Sequence, residues 1–440
     1  MFFINDMGRD MLVIRDWLDS GKPPLLGPQT SALPINQTAL YFYMMLPGYL
    51  LTNGSPLALF YTFCVMWVAV FIYGLWLLKG NTKMTVAWMI FFFLTIISPQ
   101  YLTQSRFIVW NPSFVSPFLG IGLITFYLLN EKYSNKVLAI FAIFLALAVS
   151  FSYSSAPVLL SIYIFILFFW KKHRINALLF QVLAVLLVNL PTIAFEIKHK
   201  FILTSTLLSR GSMPQKASDI SFMAKFESLF GFGLGVSGIW LVVAVVILLA
   251  IIAKYSLSKN YKYLKNFGFV LLISTIITFV IPITIHTHYI FGFTTLLFLC
   301  IGLLPRNYST VIILLMLIVY GRSAMSADYF QPSRRTYEQM ISCFKKVCNE
   351  YADPIFVSAQ ANFHPYHSAP EHRFMMKQAG CSVKYIEEQP EAAKLMAVVL
   401  DGGTYEHGKT AFNELTSFGK SKEIKRYSCQ QNFGVVILGK

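Results

Sequence analysis

Two acidic residues and an arginine near the N-terminus have a spacing that suits chemistry on a helix. Asp6 and Asp10 are four residues apart with Arg9 between them, so the three share one face if this segment is helical. A carboxylate there can act as a general base, and the arginine can hold it ionised or bind a phosphate. The alternative is a solvated first turn whose acidic residues favour the helix dipole.

A second candidate base is Glu196, which follows an apolar run and precedes Lys198 and His199. Ionisable side chains at membrane depth are costly and often functional. The alternative is a simple helix-end charge in the headgroup region. Lys198 and His199 are candidate substrate-binding residues because they lie beside this carboxylate.

Further cations and aromatic residues occur in segments that fall between apolar runs. The candidates for substrate binding are Arg106, His286, His288 and Tyr289. Each alone is weak evidence, because interfacial Arg and Tyr often only anchor a protein in the membrane. Together, these acids and cations on one membrane face suit a reaction on an anionic, lipid-linked substrate, with a carboxylate as base and cations neutralising a phosphate leaving group.

The composition indicates which elements must position these residues. The 440-residue chain is 56% hydrophobic and 13% charged, and its mean hydropathy is +0.59, whereas soluble chains carry about 25% charged residues. The composition therefore disfavours a soluble enzyme, a nucleic-acid-binding protein and a disordered tail, despite a net charge of +16. The sequence predicts a polytopic membrane protein.

The chain contains apolar runs of membrane-spanning character, with boundaries that are soft because several are short. Their ranges are 56–78, 84–104, 112–129, 136–153, 156–170, 175–195, 237–253, 266–285, 289–304 and 308–322. The connecting loops alternate between short basic ones and longer ones that hold most of the acids. The positive-inside rule places the short basic loops in the cytoplasm, and thus the N-terminus and residues 324–440 outside.

The N-terminal segment has the pattern of helices at a membrane surface. Met7, Met11, Ile14 and Leu18 recur at helical spacing and predict an amphipathic helix at the interface. The apolar stretch Ala39–Leu51 is too short to span, so it predicts a second juxtamembrane helix. Since no signal-like segment precedes them, we expect that a first transmembrane helix is missing through a misassigned start or a truncated gene.

The C-terminal part has an ordinary soluble composition, with 14 basic and 12 acidic residues from residue 324 onward. The sequence therefore predicts two domains, a transmembrane domain over residues 1–323 and a small α/β domain over residues 324–440. Helices are predicted at 333–350, 370–380 and 405–419, and strands at 355–358, 383–386, 396–400 and 434–438.

Four cysteines fall in this C-terminal domain: Cys343, Cys348, Cys381 and Cys429. An outer compartment permits disulfides, and three pairings are open. A bond between Cys343 and Cys348 is disfavoured because side chains five residues apart on a helix point away from each other.

Three histidines of the same domain could suggest a metal site: His364, His367 and His372. Their spacing matches no fixed ligand pattern, so a solvated loop is the preferred interpretation.

Several segments resemble a known family. The segments Asn5–Asp10 and Pro24–Ser31 resemble the first outer loop of bacterial GT-C glycosyltransferases. The resemblance is to those related to protein mannosyltransferases, the aminoarabinose transferase of lipid A and Rgt-like galacturonosyltransferases. The segments Ser105–Pro112 and Phe195–His199 also resemble segments found in members of this group. The resemblance extends over roughly residues 1–320.

This resemblance implies an all-α polytopic GT-C fold of about 11 to 13 transmembrane helices with two juxtamembrane helices in the first outer loop. The apolar runs predict about 10 transmembrane helices in this chain, and the composition and loop charges predict the extracytoplasmic α/β domain. It implies an enzyme of the bacterial inner membrane that transfers a sugar from a polyprenyl-phosphate donor to a lipid, glycan or protein acceptor. The family's first-loop acid maps to Asp6, with Asp10 as runner-up. The reaction would be a single inverting displacement with a carboxylate base.

Other functions remain open. The main alternative is a transporter or flippase of lipid-linked sugars, and others are a transferase resembling O-antigen ligase or an inactive truncated remnant. No cofactor is required by the motifs, although a divalent metal ion could bridge Asp6 and Glu196 to the phosphate.

Overall fold

The structure is a computed structural model that describes residues 5–30, 35–99, 101, 109–210, 221–258, 261–281, 285–326, 336–361, 369–406, 413–430 and 432–440. These residues form two compact units. The helical unit holds those within Pro24–Gly48 and Leu59–Phe330, and the α/β unit holds those within Met1–Pro23, Tyr49–Ala58 and Gln331–Lys440.

The described chain is mostly helical. In chain order the helices are α1 Asn5–Ser20, α2 Leu40–Leu51, α3 Leu57–Leu77, α4 Thr82–Ile97, α5 Val115–Glu131, α6 Asn135–Phe151, α7 Ala156–Phe169, α8 Arg174–Val188, α9 Leu190–Lys198, α10 Ile202–Arg210, α11 Phe222–Phe226, α12 Phe232–Leu234, α13 Gly238–Ser256, α14 Lys262–Val280, α15 Phe291–Leu303, α16 Arg306–Ser326, α17 Tyr337–Glu350, α18 Pro370–Gln378 and α19 Asn413–Phe418. Each of the ten predicted apolar runs overlaps at least one of these helices, and α2 is a helix where one was expected at Ala39–Leu51.

Some of these helices could cross a bilayer unaided. Judged by length and composition, four described helices suffice: α3, the continuous helical run Asn111–Glu131, α13 and α14. The pair α8 and α9 would be a fifth span, but it is bent by 68°. The predicted run 175–195 is thus not one straight helix, because Pro191 lacks the N–H that would continue the hydrogen-bond ladder.

Helix α5 lies in the interior of the helical unit. The helical run Asn111–Glu131 has an apolar stretch of which 94% is buried inside the protein. A helix that is apolar all round needs neighbours on every side, and α6 and α15 pack against it. The core of this unit is therefore a buried apolar helix surrounded by other helices.

A close helix contact in the same unit depends on a glycine. A Cβ at Gly302 of α15 would lie 2.7 Å from the Cα of Ala87 on α4. The buried face of α4 includes Met84, Trp88 and Phe91, which recur at helical spacing. Only glycine permits this separation of the two backbones.

The α/β unit contains a five-stranded sheet in the order β2-β1-β3-β5-β4. The strands are β1 Ile355–Ala361, β2 Val383–Lys384, β3 Leu395–Asp401, β4 Lys422–Gln430 and β5 Phe433–Gly439. Strand β1 pairs in parallel with β2 and β3, and β5 pairs antiparallel with β3 and β4. Four strands match predicted ones, and β4 was missed because charged residues interrupt its apolar pattern.

Two disulfides join helix α17 to the rest of the unit. They are Cys343–Cys429 and Cys348–Cys381. The expectation that Cys343 and Cys348 do not pair with each other is confirmed. Helix α1 and residues 49–58, which the sequence places in the transmembrane domain, make their contacts within this α/β unit.

Candidate functional site

The predicted cluster on α1 is assembled as its spacing suggested. Arg9 Nη1 lies 2.8 Å from Asp6 Oδ1, and Arg9 Nε and Nη2 donate to Asp10 Oδ1 at 2.9 and 2.7 Å. The side chain of Asp6 is 37% exposed, whereas that of Asp10 is fully buried. Within this cluster, Asp6 is the carboxylate that is partly open to solvent.

The position of this cluster follows from how α1 is packed. Met7, Met11 and Ile14 of α1 are fully buried, and α1 packs against α18 of the same unit. At Gly8, a Cβ would lie 2.2 Å from backbone atoms of Glu371. The predicted amphipathic helix is present, but its apolar face packs against protein and not, as predicted, against a membrane interface, and Leu18 stays exposed.

Glu196 has a different environment. Its Oε1 accepts a hydrogen bond from Leu203 N at 2.9 Å, and its Oε2 accepts from Thr204 N at 2.9 Å and Thr204 Oγ1 at 2.5 Å. The carboxylate therefore caps the first turn of α10, and the residue is 8% exposed. Three donors occupy the oxygens that a base would need, so the structure favours a capping role.

The cations after Glu196 occupy the turn between α9 and α10. Lys198, His199 and Lys200 are exposed. Lys200 and Phe201 adopt left-handed backbone conformations, with φ of 54° and 61°. Such conformations cost of order 1–3 kcal/mol at non-glycine residues, and the cap by Glu196 holds them in place.

The segment before α15 contains two more predicted residues. The rings of His286 and Tyr289 have centroids 5.3 Å apart, and Tyr289 N donates to His286 O at 2.9 Å. Tyr289 also lines a cavity of about 90 Å³ together with Ser274 and Tyr153. The remaining predicted residues, Arg106 and the side chain of His288, lie outside the described residues.

The Trp-Asn-Pro segment that contributed to the family resemblance has a packing role. Asn111 Nδ2 donates to Gln37 Oε1 and to the carbonyl oxygen of Phe151, the latter at 2.7 Å. Next to it, Thr38 Oγ1 donates to Val188 O at 2.7 Å. These bonds fasten the loop before α2 to the ends of α6 and α8.

The histidine expected in a solvated loop is buried. His372 lies on α18, with its Nε2 3.5 Å from Asp401 Oδ2 and 3.7 Å from Glu371 Oε1. The loop interpretation is therefore wrong for His372, because its side chain packs inside the α/β unit. His364 and His367 lie outside the described residues.

Metal binding gains no support from the described part of the chain. Within it, no group of three or more His, Cys, Asp or Glu side chains could hold a metal ion. The suggested bridging by a divalent ion stays a prediction.

Three residues near the α1 cluster were not selected from the sequence: Asp16, Lys377 and Tyr385. Asp16 Oδ1 lies 2.6 Å from Lys377 Nζ, and its Oδ2 accepts from Tyr385 Oη at 3.0 Å. Gly8 was a signal in the sequence that α1 packs closely against another backbone, because glycine inside a helix is unfavourable and often marks a close approach.

Comparison with solved structures identifies a protein with a similar fold. No protein-family model matches the sequence, and no curated protein matches it. The structure is similar to the crystal structure of ArnT from Cupriavidus metallidurans bound to undecaprenyl phosphate, with a TM-score of 0.61 and 10% sequence identity. The match covers 99% of this chain and 93% of that chain. The chain therefore has the fold of GT-C membrane glycosyltransferases and is a multi-pass membrane protein, as the sequence predicts.

Proposed function

We propose that the protein transfers a sugar from a polyprenyl-phosphate donor to an acceptor at the outer face of a bacterial inner membrane. The similarity of nearly the whole chain to ArnT, whose structure contains undecaprenyl phosphate, carries this proposal. The half-exposed Asp6 carboxylate beside Arg9 supports it, because such a transfer needs an accessible base.

In the proposed reaction, Asp6 accepts the proton of an acceptor hydroxyl or amine as its oxygen or nitrogen attacks the anomeric carbon. The bond between that carbon and the phosphate oxygen breaks, and polyprenyl phosphate leaves with the electron pair. Arg9 Nη1 donates to Asp6 Oδ1 and so orients that carboxylate, while its Nε and Nη2 donate to Asp10 Oδ1.

The charge that develops on the leaving phosphate requires cations. Of the predicted residues, Lys198, His199 and His286 are exposed and suit this role. Arg106, His288 and Tyr289 remain predicted contributors to substrate binding. Glu196 becomes the weaker candidate base, because its oxygens accept three hydrogen bonds.

The two disulfides support an outer location for the α/β unit, since disulfides persist in oxidising compartments. The location is tested by non-reducing mass mapping of the protein purified from membranes. We expect cross-linked peptides containing Cys343–Cys429 and Cys348–Cys381. Four free thiols would argue for the cytoplasmic side.

The function is tested with the full-length protein in proteoliposomes that contain a radiolabelled sugar on polyprenyl phosphate and a lipid extract as acceptor. We expect labelled acceptor and free polyprenyl phosphate in equal amounts. Movement of intact donor across the bilayer without release of polyprenyl phosphate would instead support the flippase alternative. If the assay shows neither labelled acceptor nor movement of the donor, the result would support the alternative of an inactive remnant.

A further inference from the structure

Helix α18 presents one side to segments that lie far away in the sequence. Its residues Glu371, Phe374 and Gln378 recur at helical spacing on this side. Glu371 meets Gly8 of α1, and the ring of Phe374 lies 6.5 Å from that of Tyr49. Gln378 Nε2 donates to Gly54 O at 3.2 Å and to Tyr49 Oη at 3.3 Å. One short helix thus holds both N-terminal segments of the α/β unit.

The opposite side of α18 is fastened to the sheet. Arg373 Nε donates to Val357 O on β1 at 3.2 Å, and its Nη2 lies 2.7 Å from Glu387 Oε1. Just beyond the helix, the disulfide Cys348–Cys381 connects it to α17. The helix therefore offers a rigid surface to α1.

The far end of α1 is held by a pair of polar groups on this surface. Asp16 accepts from Lys377 Nζ at 2.6 Å through one oxygen and from Tyr385 Oη at 3.0 Å through the other. The side chain of Lys377 is only 15% exposed, and its ammonium lies 4.9 Å from the centre of the Tyr385 ring. A carboxylate that uses both oxygens in this way fixes the rotation of α1 as well as its distance.

The near end is held by the close approach of Gly8 to Glu371, where no side chain fits. With both ends fixed, α1 turns Asp10 inward and leaves Asp6 partly exposed. A rotation about the helix axis would move Asp6, Arg9 and Asp10 together, because the three share one face of α1.

We infer that Lys377 and Tyr385, through Asp16, are positioning residues that hold the Asp6–Arg9 pair of α1 in its reactive orientation. The inference rests on the proposed sugar transfer. It gives the α/β unit a part in the reaction, because this unit would set the orientation of Asp6. The docking surface is the side of α18 defined above together with Lys377 and Tyr385.

The test uses the full-length protein in the proteoliposome assay with Lys377→Met and Asp16→Asn. We expect each variant to lower kcat at least about tenfold, because misplacing a reacting group by about 1 Å costs up to ~100-fold. The KM for the donor should change by less than about twofold, since the donor does not contact these residues in this proposal. The exchanged pair, Asp16→Lys with Lys377→Asp, should recover most of the lost kcat.

The control is Lys425→Met, which breaks another ion pair of the same unit at the same 2.6 Å distance, that with Glu350. This variant should keep wild-type kcat. If Lys377→Met and Asp16→Asn transfer sugar like the wild type, the inference is overturned while the proposed function stands. If the wild type itself transfers no sugar, both are overturned.

A second measurement does not depend on turnover. Gly8→Ala should increase hydrogen–deuterium exchange of the α1 peptide at least about tenfold, because the added methyl group would overlap backbone atoms of Glu371. The control, Gly321→Ala, has open space around its Cβ and should leave exchange unchanged. An unchanged α1 peptide in Gly8→Ala would contradict docking through α18.

Discussion

Asp6 and Glu196 are both acids that the sequence selects as candidate bases, and their surroundings differ in kind. Asp6 shares one arginine with Asp10 and keeps more than a third of its side chain exposed. Glu196 is buried and accepts three hydrogen bonds from the first turn of α10. The comparison teaches that an acid near a membrane surface suits proton transfer only when an oxygen stays accessible, and the same charge can instead complete a helix end.

The largest effect is expected from Asp6→Asn. The amide cannot accept the acceptor's proton, so kcat for sugar transfer should fall by about 10²–10⁴-fold with little change in thermal stability. The measurement is initial rates in proteoliposomes together with a melting curve. Asp19→Asn, on the exposed ion pair with Arg15 of the same helix, is the matched control and should remain active. Equal activity of the two variants would remove Asp6 from the site.

Glu196→Gln should lower thermal stability and leave kcat nearly unchanged, the reverse of what is expected for Asp6→Asn. The new amide group would bring a donor toward the N–H groups of Leu203 and Thr204, so we expect a loss of about 1–3 kcal/mol in stability. Thermal unfolding of the purified protein measures this loss. The control is Glu131→Gln, because Glu131 is exposed and its Oε1 lies 3.6 Å from Lys262 Nζ. A stable variant whose kcat falls as far as that of Asp6→Asn would make Glu196 the base.

Asp10→Asn separates the two acids of the α1 cluster. Because Asp10 is fully buried, it cannot meet an acceptor, so kcat should fall by less than about tenfold. The amide oxygen of the new residue can still accept from Nε and Nη2 of Arg9, so the substitution removes the charge and keeps the acceptor. Donor titrations at fixed acceptor concentration measure kcat and KM together. A loss as large as that of Asp6→Asn would reverse the assignment of the two residues.

The smallest effect is expected from alkaline pH, and it should act on α1 only. Burial lowers the pKa of Lys377, but hydrogen bonds with Asp16 and Tyr385 outweigh it and raise that pKa above its ordinary value. Burial also raises the pKa of Tyr385. A raised pKa stabilises docking below the ordinary lysine pKa of about 10.4, and that contribution is lost as pH rises through the folded value.

Spin labels can follow this change between about pH 8 and pH 11. A label at Leu18→Cys on α1 should become more mobile at the alkaline end. A label at Leu208→Cys on α10 should not, because the Glu196 cap is already ionised. Both positions are exposed in the structure. Equal mobilisation of the two labels would indicate general unfolding and contradict a local effect.

Most of the fold could be predicted because its pattern is local. Apolar runs separated by basic loops locate α3 to α8 and α13 to α16, and short apolar runs rich in strand-forming residues locate β1, β2, β3 and β5. The bend at Pro191 was missed because the apolar run continues through it. Strand β4 was missed because Lys422, Glu423 and Lys425 follow one another closely, and its pairing with buried β5 decides its conformation.

The candidate site was less predictable. Spacing alone assembles Asp6, Arg9 and Asp10, since one helix turn brings them together. No local pattern distinguishes the exposed Asp6 from the buried Asp10, because both lie on one face of α1 and tertiary packing decides which turn is covered. The contact of Asp16 with Lys377 joins residues 361 positions apart. Such contacts are set by tertiary packing and leave no periodic trace in the sequence.

That separation also orders the assembly of the protein in time. At synthesis rates of ~5–20 residues per second, α1 leaves the ribosome roughly 20 to 70 s before Lys377. During this interval Met7, Met11 and Ile14 have no protein surface to cover them, and a lipid headgroup layer is the apolar boundary that an amphipathic helix can use. The earliest helix described in the chain therefore reaches its final place among the last, and the C-terminal residues complete the environment of Asp6.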